Sequence, residues 1–219
     1  MISPDLHYES ALWQDQISHI AGIDEAGRGA WCGPVAAAAV ILPAELTILE
    51  IYRGVRDSKL MSARQREHWA AFIKEKAVCW QVGFASHEEI DALGIVPATR
   101  LAMQRAVAGL PLQPDYLLID AVKLAQIPIP QKSIIRGDQQ SLSIAAASIL
   151  AKTARDAVLV EMAHVYPGYG FERHKGYGTR YHQQSLQHLG PCEIHRRSFA
   201  PVKAILNRAL AEQETLFSV

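Results

Sequence analysis

Four acidic residues lie where apolar segments of the chain end. Asp24 and Glu25 close one such segment, Asp120 lies near the end of a second, and Asp138 directly follows a third. Carboxylates at the ends of neighbouring buried strands point toward one edge of a sheet, where open α/β sheets form ligand sites. Such acids repel one another unless cations neutralise them, and oxygen ligands select Mg²⁺ or Mn²⁺ over zinc. The pattern indicates a two-metal phosphodiesterase site. The alternative, from spacing alone, is that each acid is a turn residue or a helix cap.

A glycine-rich turn, Gly27-Arg28-Gly29, follows the first two acids. Glycines beside a carboxylate let main-chain groups approach a ligand closely, and an arginine can contact phosphate. Taken by itself, the same turn is more typical of a tight hairpin with a solvent-exposed arginine.

Hydrophobic periodicity indicates the elements that must position these residues. Strands are predicted at residues 19–24, 34–42, 77–84, 115–122 and 132–136, and helices at 62–76, 86–93, 96–110, 142–165, 179–188 and 199–212. Ser62 is a candidate N-cap, and Ser86 with Glu89 resembles a capping box. The order of elements predicts a mixed α/β sheet, and no change in composition marks a second domain.

Composition and charge exclude several classes of protein. The 219 residues are 49% hydrophobic and 20% charged, which is ordinary for a soluble globular chain. Lys plus Arg and Asp plus Glu are 22 each, which argues against a protein that coats nucleic acid by bulk charge. Three cysteines without a Cys-x-x-Cys pair argue against structural zinc and fit a reducing compartment. With no signal-peptide pattern and no apolar run of about 18 residues, the chain is predicted to be cytoplasmic and without a membrane span.

The acidic and glycine-rich segments together resemble one family. Residues 24–29 (DEAGRG) are similar to the opening motif of ribonuclease HII, the type 2 ribonuclease H family. The resemblance continues in chain order through Asp57-Ser58-Lys59, Leu118-Ile119-Asp120, Gly137-Asp138, residues 146–152 (AASILAK), Arg155-Asp156, residues 168–171 (GYGF), 174–179 (HKGYGT) and 195–199 (HRRSF). It spans about residues 20–203, which is nearly the whole chain.

The resemblance implies a ribonuclease H-like fold, a five-stranded mixed sheet flanked by helices with a helical C-terminal extension. It implies one catalytic domain over residues 1–206, followed by a tail at 207–219. The implied enzyme cleaves the RNA strand of RNA–DNA hybrids and nicks 5′ of single ribonucleotides embedded in duplex DNA. Its products carry a 5′-phosphate and a 3′-hydroxyl, and its cofactors are two divalent ions, Mg²⁺ or Mn²⁺.

By motif match, the catalytic and metal-binding carboxylates are Asp24, Glu25, Asp120 and Asp138. Asp156 is a rival for the fourth position, but the family's fourth carboxylate lies in the Gly-Asp step before the long helix. Asp156 lies within that helix beside Arg155, where an ion pair or a structural hydrogen bond is the simpler expectation.

The family also implies residues that bind substrate. Backbone groups of Gly27, Arg28 and Gly29 resemble the element that senses the ribose 2′-hydroxyl, which distinguishes RNA from DNA. Tyr177 matches a tyrosine that stacks at the RNA–DNA junction. The candidate phosphate contacts are Lys59, Lys152, Lys175, Arg196 and Arg197. One departure is Ala121, because the family usually has glycine after the third carboxylate.

The tail carries a separate candidate motif. Gln213, Leu216 and Phe217 resemble the short peptide by which bacterial replication proteins bind the sliding clamp. The alternative is a frayed helix whose Leu216 and Phe217 pack on their own domain.

Residues 166–203 hold six basic and two acidic side chains, a local balance of +4. A basic face is therefore expected although the net charge of the whole chain is zero.

Three rival functions fit these segments less well. Ribonuclease HIII enzymes carry an additional N-terminal domain, and Asp24 lies too near the start of this sequence for one. Intact carboxylates argue against a non-catalytic binder of hybrid duplexes. The Gly-Arg-Gly and His-Lys-Gly-Tyr segments argue against another nuclease or a transposase of the same superfamily. The expected enzyme is a monomer.

Overall fold

The structure is a computed structural model that describes the backbone of residues 4–217 and the side chains of residues 4–208 and 211. Within this part of the chain the strands are β1 Ile20–Ala26, β2 Val35–Ile41, β3 Cys79–Ala85, β4 Tyr116–Asp120 and β5 Gln131–Ile134. The helices are α1 His7–Gln14, α2 Ile48–Ile51, α3 Ala63–Lys76, α4 His87–Leu93, α5 Ile95–Ala108, α6 Leu142–Val165, α7 Phe171–His174, α8 Arg180–Leu189 and α9 Ala200–Phe217.

The described strands form one mixed sheet in the order β3-β2-β1-β4-β5. β1 runs antiparallel to β2 and parallel to β4, and β4 runs parallel to β5. All seven residues of β2 are buried, as expected for a continuous apolar run in a sheet covered on both faces. Ile23 pairs with Ile119, so β1 and β4 carry Asp24 and Asp120 toward the same edge. The predicted mixed five-stranded sheet is therefore confirmed.

A close approach between β1 and the start of α6 depends on Gly22. A Cβ atom at this position would lie 2.1 Å from the backbone carbonyl carbon of Ser143, a distance that atoms do not tolerate. The first turns of α6 are rich in alanine, and Ala145, Ala146 and Ala147 are fully buried. Small residues on both elements thus let the helix pack directly beneath the strand that carries Asp24.

Helix α1 was not predicted from the sequence, which is polar and acidic before residue 19. The structure fixes it through Glu9, whose Oε1 accepts hydrogen bonds from the Ser141 hydroxyl at 2.6 Å and the Ser143 amide at 3.0 Å. Glu9 therefore caps the N-terminal end of α6 from a distant part of the chain. Burial raises the pKa of Glu9 above its usual range. The one-turn helices α2 and α7 were also unpredicted, because four residues carry no periodicity.

The chain groups into two compact units. The first comprises Met1–Ala26, Ala36–Phe84 and Thr99–Ala154 and contains almost all of the sheet. Part of its core is formed by Ile20, Leu118, Ile134 and Ile144. The second comprises Gly27–Val35, Ala85–Ala98 and Arg155–Val219. Its core includes Cys32, Leu159, Tyr169, Phe171 and Ile194. A single catalytic domain over residues 1–206 stays a prediction.

Among the described residues, every helix is too short or too polar to cross a lipid bilayer.

Candidate active site

Three of the four predicted metal ligands converge in the first unit. Asp24, Glu25 and Asp120 each offer a carboxylate oxygen, and these three oxygens lie within 4.8 Å of one another. Asp24 and Glu25 come from β1, and Asp120 is the last residue of the parallel neighbour β4. Asp24 is 3% exposed, whereas Glu25 and Asp120 are half-buried. The arrangement is the acidic cluster that the strand ends predict.

The cluster holds more negative charge than its surroundings favour. Burial raises the pKa of Asp24 well above its usual range, and the charges of Glu25 and Asp120 raise it further. Opposing hydrogen bonds from the Glu25 amide, at 2.7 Å, and from Ser148 hold the carboxylate in place. The Ser148 hydroxyl is itself 2.9 Å from that of Ser58, so a small polar network supports Asp24.

The donor set of this cluster fits a hard divalent cation. Its three members present only carboxylate oxygens, which are the ligands that Mg²⁺ and Mn²⁺ prefer. A cation would also relieve the repulsion that raises the pKa of Asp24. Asp24, Glu25 and Asp120 are therefore the residues that could hold such an ion.

Asp138 lies in the one-turn 3₁₀ helix Gly137–Gln139 and is 3% exposed. Burial first, and then the neighbouring Asp57, raise the pKa of Asp138 to about 6, while the charge of Lys59 opposes the rise. The negative charge of Asp120 also raises the pKa of Asp138. Asp138 therefore adjoins the three-carboxylate cluster electrostatically, but its nearest partners are Asp57 and Lys59.

Asp57 is a buried acid that the sequence reasoning did not single out as a site residue. Its Oδ1 accepts the Lys59 amide at 2.9 Å, capping the one-turn helix Ser58–Leu60. The Lys59 ammonium lies 3.5 Å from Asp138 Oδ2 and 3.9 Å from Asp57 Oδ1, and its side chain is 73% exposed. Lys59 thus carries an exposed positive charge against two buried acids. The sequence signal that could have identified Asp57 is the Asp57-Ser58-Lys59 segment, in which only Lys59 is predicted to have a role.

The Gly-Arg-Gly turn lies in the second unit. Gly27 has a φ of +95°, and a Cβ atom there would meet the Arg155 Nε at 1.9 Å, so both the backbone and the packing require glycine. Arg28 and Gly29 are exposed. The turn closes with a hydrogen bond from the Ala30 amide to the Gly27 carbonyl at 3.3 Å. The exposed Arg28 and Gly29 leave this turn accessible to a ligand, and its role in binding substrate stays a prediction.

Tyr177 is joined to the segment that follows this turn. Ala30 and Tyr177 form an isolated antiparallel bridge, and the Trp31 amide donates to the Gly176 carbonyl at 2.8 Å. The Tyr177 ring is half-buried, with its centroid 5.3 Å from the Arg155 Cζ. The two segments predicted to recognise the ribose are therefore neighbours within one unit.

The predicted phosphate-binding cations differ in placement. Lys59 is exposed, Lys152 is half-buried on α6, and Lys175 is half-buried at φ +51° with its ammonium bonded to the Glu172 carbonyl. Arg196 is a correction, since it is fully buried and its guanidinium donates to carbonyls of residues 28–34. A side chain held in this way does not reach a phosphate, so the geometry indicates a structural role. Its neighbour Arg197 is exposed.

Asp156, the rival for the fourth carboxylate, lies in the second unit. Its charge acts on the buried guanidinium of Arg155, where it favours the protonated form. This placement agrees with the expected structural pairing of the two neighbours.

A second cluster with metal-ligand chemistry, Cys32, His182 and His195, is fully buried in the second unit. His182 Nδ1 lies 3.1 Å from the Tyr177 carbonyl and must donate to it, which leaves its Nε2 to accept from His195 Nε2 at 3.1 Å. His195 Nδ1 then accepts the Cys192 amide at 3.0 Å. The charges of Arg155 and Arg196 act on Cys32. A satisfied chain of hydrogen bonds beside two cations indicates core histidines, not a cation site.

The backbone of α9 extends to Phe217, but the side chains of Gln213, Leu216 and Phe217 lie outside the described residues. The clamp-binding motif stays a prediction.

Comparisons with known proteins bear on the whole chain. The family model described as Ribonuclease HII matches residues 21–202. A protein named Ribonuclease HII from Desulfitobacterium hafniense (strain Y51) is 52% identical over 202 residues, which cover 92% of this chain and 76% of that protein.

Three solved structures share the fold. Ribonuclease H2 from Pyrococcus horikoshii OT3 has a TM-score of 0.72 and 23% identity, covering 86% of this chain and 97% of that one. The ribonuclease HII of a PCNA:RNase HII complex from Archaeoglobus fulgidus has a TM-score of 0.67 and 24% identity, covering 81% and 92%. Bst-RNase HIII in complex with Mn²⁺ has a TM-score of 0.67 and 20% identity, covering 91% and 73%. These likenesses confirm the ribonuclease H-like fold.

The family match spans residues 21–202, which include every predicted carboxylate, and the alignment at 52% identity covers 92% of the chain. The chain therefore belongs to the ribonuclease HII family and is a ribonuclease H endonuclease that acts on RNA–DNA hybrids.

Proposed function

We propose that the chain also nicks duplex DNA on the 5′ side of a single embedded ribonucleotide, leaving a 5′-phosphate and a 3′-hydroxyl. The observation that carries the proposal is the approach of the Asp24, Glu25 and Asp120 oxygens to within 4.8 Å, at the edge where β1 and β4 end. A carboxylate cluster of this kind is the protein part of a metal-dependent phosphodiesterase site. Asp138 is the fourth carboxylate of the proposed site.

Two divalent ions, Mg²⁺ or Mn²⁺, are the proposed cofactors. When bound, they would supply activation of the attacking water and stabilisation of the leaving 3′-oxygen. Asp24, Glu25 and Asp120 would hold the ions, and Asp138 would complete the acidic set. The Mn²⁺ complex of Bst-RNase HIII, which has the same fold, supports this choice of metal.

Two segments of the second unit are proposed to recognise the substrate. Backbone groups of Gly27, Arg28 and Gly29 would bind the ribose 2′-hydroxyl, which identifies a ribonucleotide among deoxynucleotides. The Tyr177 ring would stack on the sugar that follows it. Among the cations, Lys59, Lys152, Lys175 and Arg197 stay candidates for phosphate contact.

The decisive experiment uses a DNA duplex with one embedded ribonucleotide and a matched all-DNA duplex. With Mg²⁺ or Mn²⁺ the chain should nick only the first, on the 5′ side of the ribonucleotide. Asp120→Asn should be nearly inactive while still binding the duplex. Equal cleavage of the all-DNA duplex would disprove the assignment.

Tyr177→Ala and Tyr177→Phe test the junction role on the same substrate. Loss of the ring should reduce cleavage at the single ribonucleotide about 100-fold, since a misplaced substrate loses that much. Tyr177→Phe should lose less, because the stacking surface remains. Wild-type cleavage by Tyr177→Ala would show that the ring has no part in recognition.

Binding to a sliding clamp through Gln213, Leu216 and Phe217 is a further proposal. The fold is shared with the ribonuclease HII of the archaeal PCNA complex, which supports the idea that such enzymes associate with clamps. Clamp should be captured by the full chain but not by a chain that lacks residues 213–219. A variant with Ser218 and Val219 replaced by alanine is the control, and unchanged capture after the deletion would refute the proposal.

A further inference from the structure

Two arginines, Arg155 and Arg196, are fully buried in the second unit, with no exposed surface on either side chain. Arginine is almost never fully buried unless its charge and its donors are satisfied. Each guanidinium must therefore have hydrogen-bond partners that replace the water it has lost. Those partners indicate the role of the two arginines.

Arg196 bonds to the carbonyls of the segment that contains the Gly-Arg-Gly turn. Its Nη1 donates to Arg28 O at 3.0 Å and to Ala30 O at 2.7 Å. Its Nε donates to Gly33 O at 3.0 Å, and its Nη2 donates to Pro34 O at 3.1 Å. Its own amide also donates to Trp31 O at 2.8 Å. One residue thus fixes five of the seven carbonyls between residues 28 and 34.

Arg155 holds the same segment and a second one. Its Nε donates to Pro34 O at 2.9 Å and its Nη2 to Cys32 O at 3.1 Å, whereas its Nη1 donates to Lys175 O at 2.9 Å. The side chain fills the space that a Cβ atom on Gly27 would need. Its guanidinium also lies over the Tyr177 ring. Arg155 therefore contacts the turn and the Tyr177 segment together.

We infer that Arg155 and Arg196 are positioning residues, which hold the Gly-Arg-Gly turn and the Tyr177 segment as one rigid element for reading the ribose 2′-hydroxyl. The inference rests on the proposed function, because it assigns recognition of a ribonucleotide to those two segments. It concerns residues that touch neither substrate nor metal, and it replaces the phosphate contact predicted for Arg196.

The chemistry requires arginine. The guanidinium is a planar fork with five donors, and Arg196 directs its donors at four carbonyls in different directions. A lysine ammonium has three donors on a flexible stem, so Arg196→Lys keeps the charge but loses part of the geometry. Burial, and then the charge of Arg155, lower the pKa of Arg196 to about 9, so it stays protonated at pH 7.

The test compares Arg196→Lys, Arg196→Gln and Arg155→Lys with the wild-type chain. Arg64→Gln, which removes an exposed arginine on α3, is the matched control. Two duplexes are used, one with a ribonucleotide and one with a 2′-fluoro nucleotide at the same place. We expect kcat on the ribonucleotide to fall by about 100-fold with KM little changed, because misplacement by about 1 Å costs that much. Equilibrium binding of the 2′-fluoro duplex, which lacks the hydroxyl that the element reads, should change little, so the loss should appear in cleavage of the ribonucleotide duplex alone.

Amide hydrogen exchange of residues 27–34 gives a readout that needs no activity. The Ala30, Trp31 and Gly33 amides are bonded to carbonyls in the structure and should exchange faster in the Arg196 variants than in the wild type. If Arg196→Gln fails to fold, Arg196→Lys and Arg155→Lys carry the test. Folded variants with wild-type cleavage of the ribonucleotide duplex and wild-type exchange would overturn the inference. A wild-type chain that does not cut the ribonucleotide duplex would instead defeat the proposed function, and the exchange rates would still decide whether the arginines position the turn.

Discussion

The Gly137 amide donates a 2.7 Å hydrogen bond to Oδ1 of Asp120. This bond joins the end of β4 to the one-turn helix that carries Asp138, so the third carboxylate is oriented by the segment that contains the fourth. Hydrogen bonds to an ionised carboxylate are short and stronger than neutral ones. The acidic site is therefore a connected structure. Backbone amides hold its carboxylates in place despite the repulsion among their charges.

The repulsion predicts that Asp24→Asn stabilises the chain in the absence of metal. Because burial and the charges of Glu25 and Asp120 raise the pKa of Asp24, its ionised form destabilises the folded state at neutral pH. Removing that charge should raise the melting temperature by about 2–4 °C for each kcal/mol recovered. Addition of Mn²⁺ should raise the melting temperature of the wild type but not that of Asp24→Asn. The control is Glu75→Gln on α3, which should respond to Mn²⁺ as the wild type does.

The sequence alone predicts those helices and strands that depend on interactions among residues close together in the chain. Every strand and every helix longer than one turn, except α1, was predicted, because periodicity and caps such as Ser62 act over a few residues. Helix α1 depends on Glu9 reaching Ser141, 132 positions along the chain, and nothing near Glu9 signals that contact. The phosphate contact predicted for Arg196 is wrong for a similar reason. Consecutive basic residues are typical of an exposed surface, and the carbonyls that bury Arg196 are distant in sequence.

Within the acidic site, the limits of prediction were also physical. Asp24 and Asp120 could be placed together because parallel strands end at one edge of a sheet. The pairing of Asp138 with Asp57 depends on where two one-turn helices meet, and turns of that length leave no periodic pattern. The sequence therefore indicated the acids but not how they divide into a cluster and a neighbouring pair.

Ala121, which follows Asp120, lies at φ +49°, in the left-handed region that glycine tolerates best. For a residue with a Cβ atom this conformation costs about 1–2 kcal/mol. Ala121→Gly should therefore stabilise the chain by up to about 1 kcal/mol, after allowing for the greater freedom of glycine in the unfolded state. Urea denaturation measures the change. Ala44→Gly, at an exposed residue without a positive φ, should destabilise instead.

The buried histidines of the second unit predict loss of stability in acid. Burial lowers the pKa of His182 and of His195 to about 4, and that of His174 falls in the same direction. In the unfolded chain these groups titrate near 6.5, so between about pH 6.5 and 4 the unfolded state binds more protons. The stability that these histidines contribute should therefore fall as pH decreases through this range, by about 2–4 kcal/mol between pH 7 and pH 5, while the acids with raised pKa values, Asp24, Asp138 and Glu9, oppose part of the loss.

Urea denaturation at the two pH values measures this loss. His182→Gln should be less stable than the wild type at pH 7 but should lose less on going to pH 5, because one of the titrating groups is gone. His188→Gln, at an exposed residue on the same helix, should keep the wild-type dependence. A His182→Gln chain that loses as much stability as the wild type between pH 7 and pH 5 would show that His182 is not held neutral.

Lys59 presents an accessible charge beside the acidic site, since its side chain is 73% exposed while its ammonium lies 3.5 Å from Asp138 Oδ2. Lys59→Gln should weaken duplex binding several-fold and reduce the slope of log K against log[salt] by about 1, as expected for loss of one phosphate contact. Binding is measured by fluorescence anisotropy at several salt concentrations, with Ca²⁺ in place of the catalytic metal. Lys76→Gln, at an exposed lysine paired with Glu75, is the control and should keep the wild-type slope. If Lys59→Gln also keeps that slope, Lys59 only neutralises Asp57 and Asp138, and other cations of the chain must contact the phosphates.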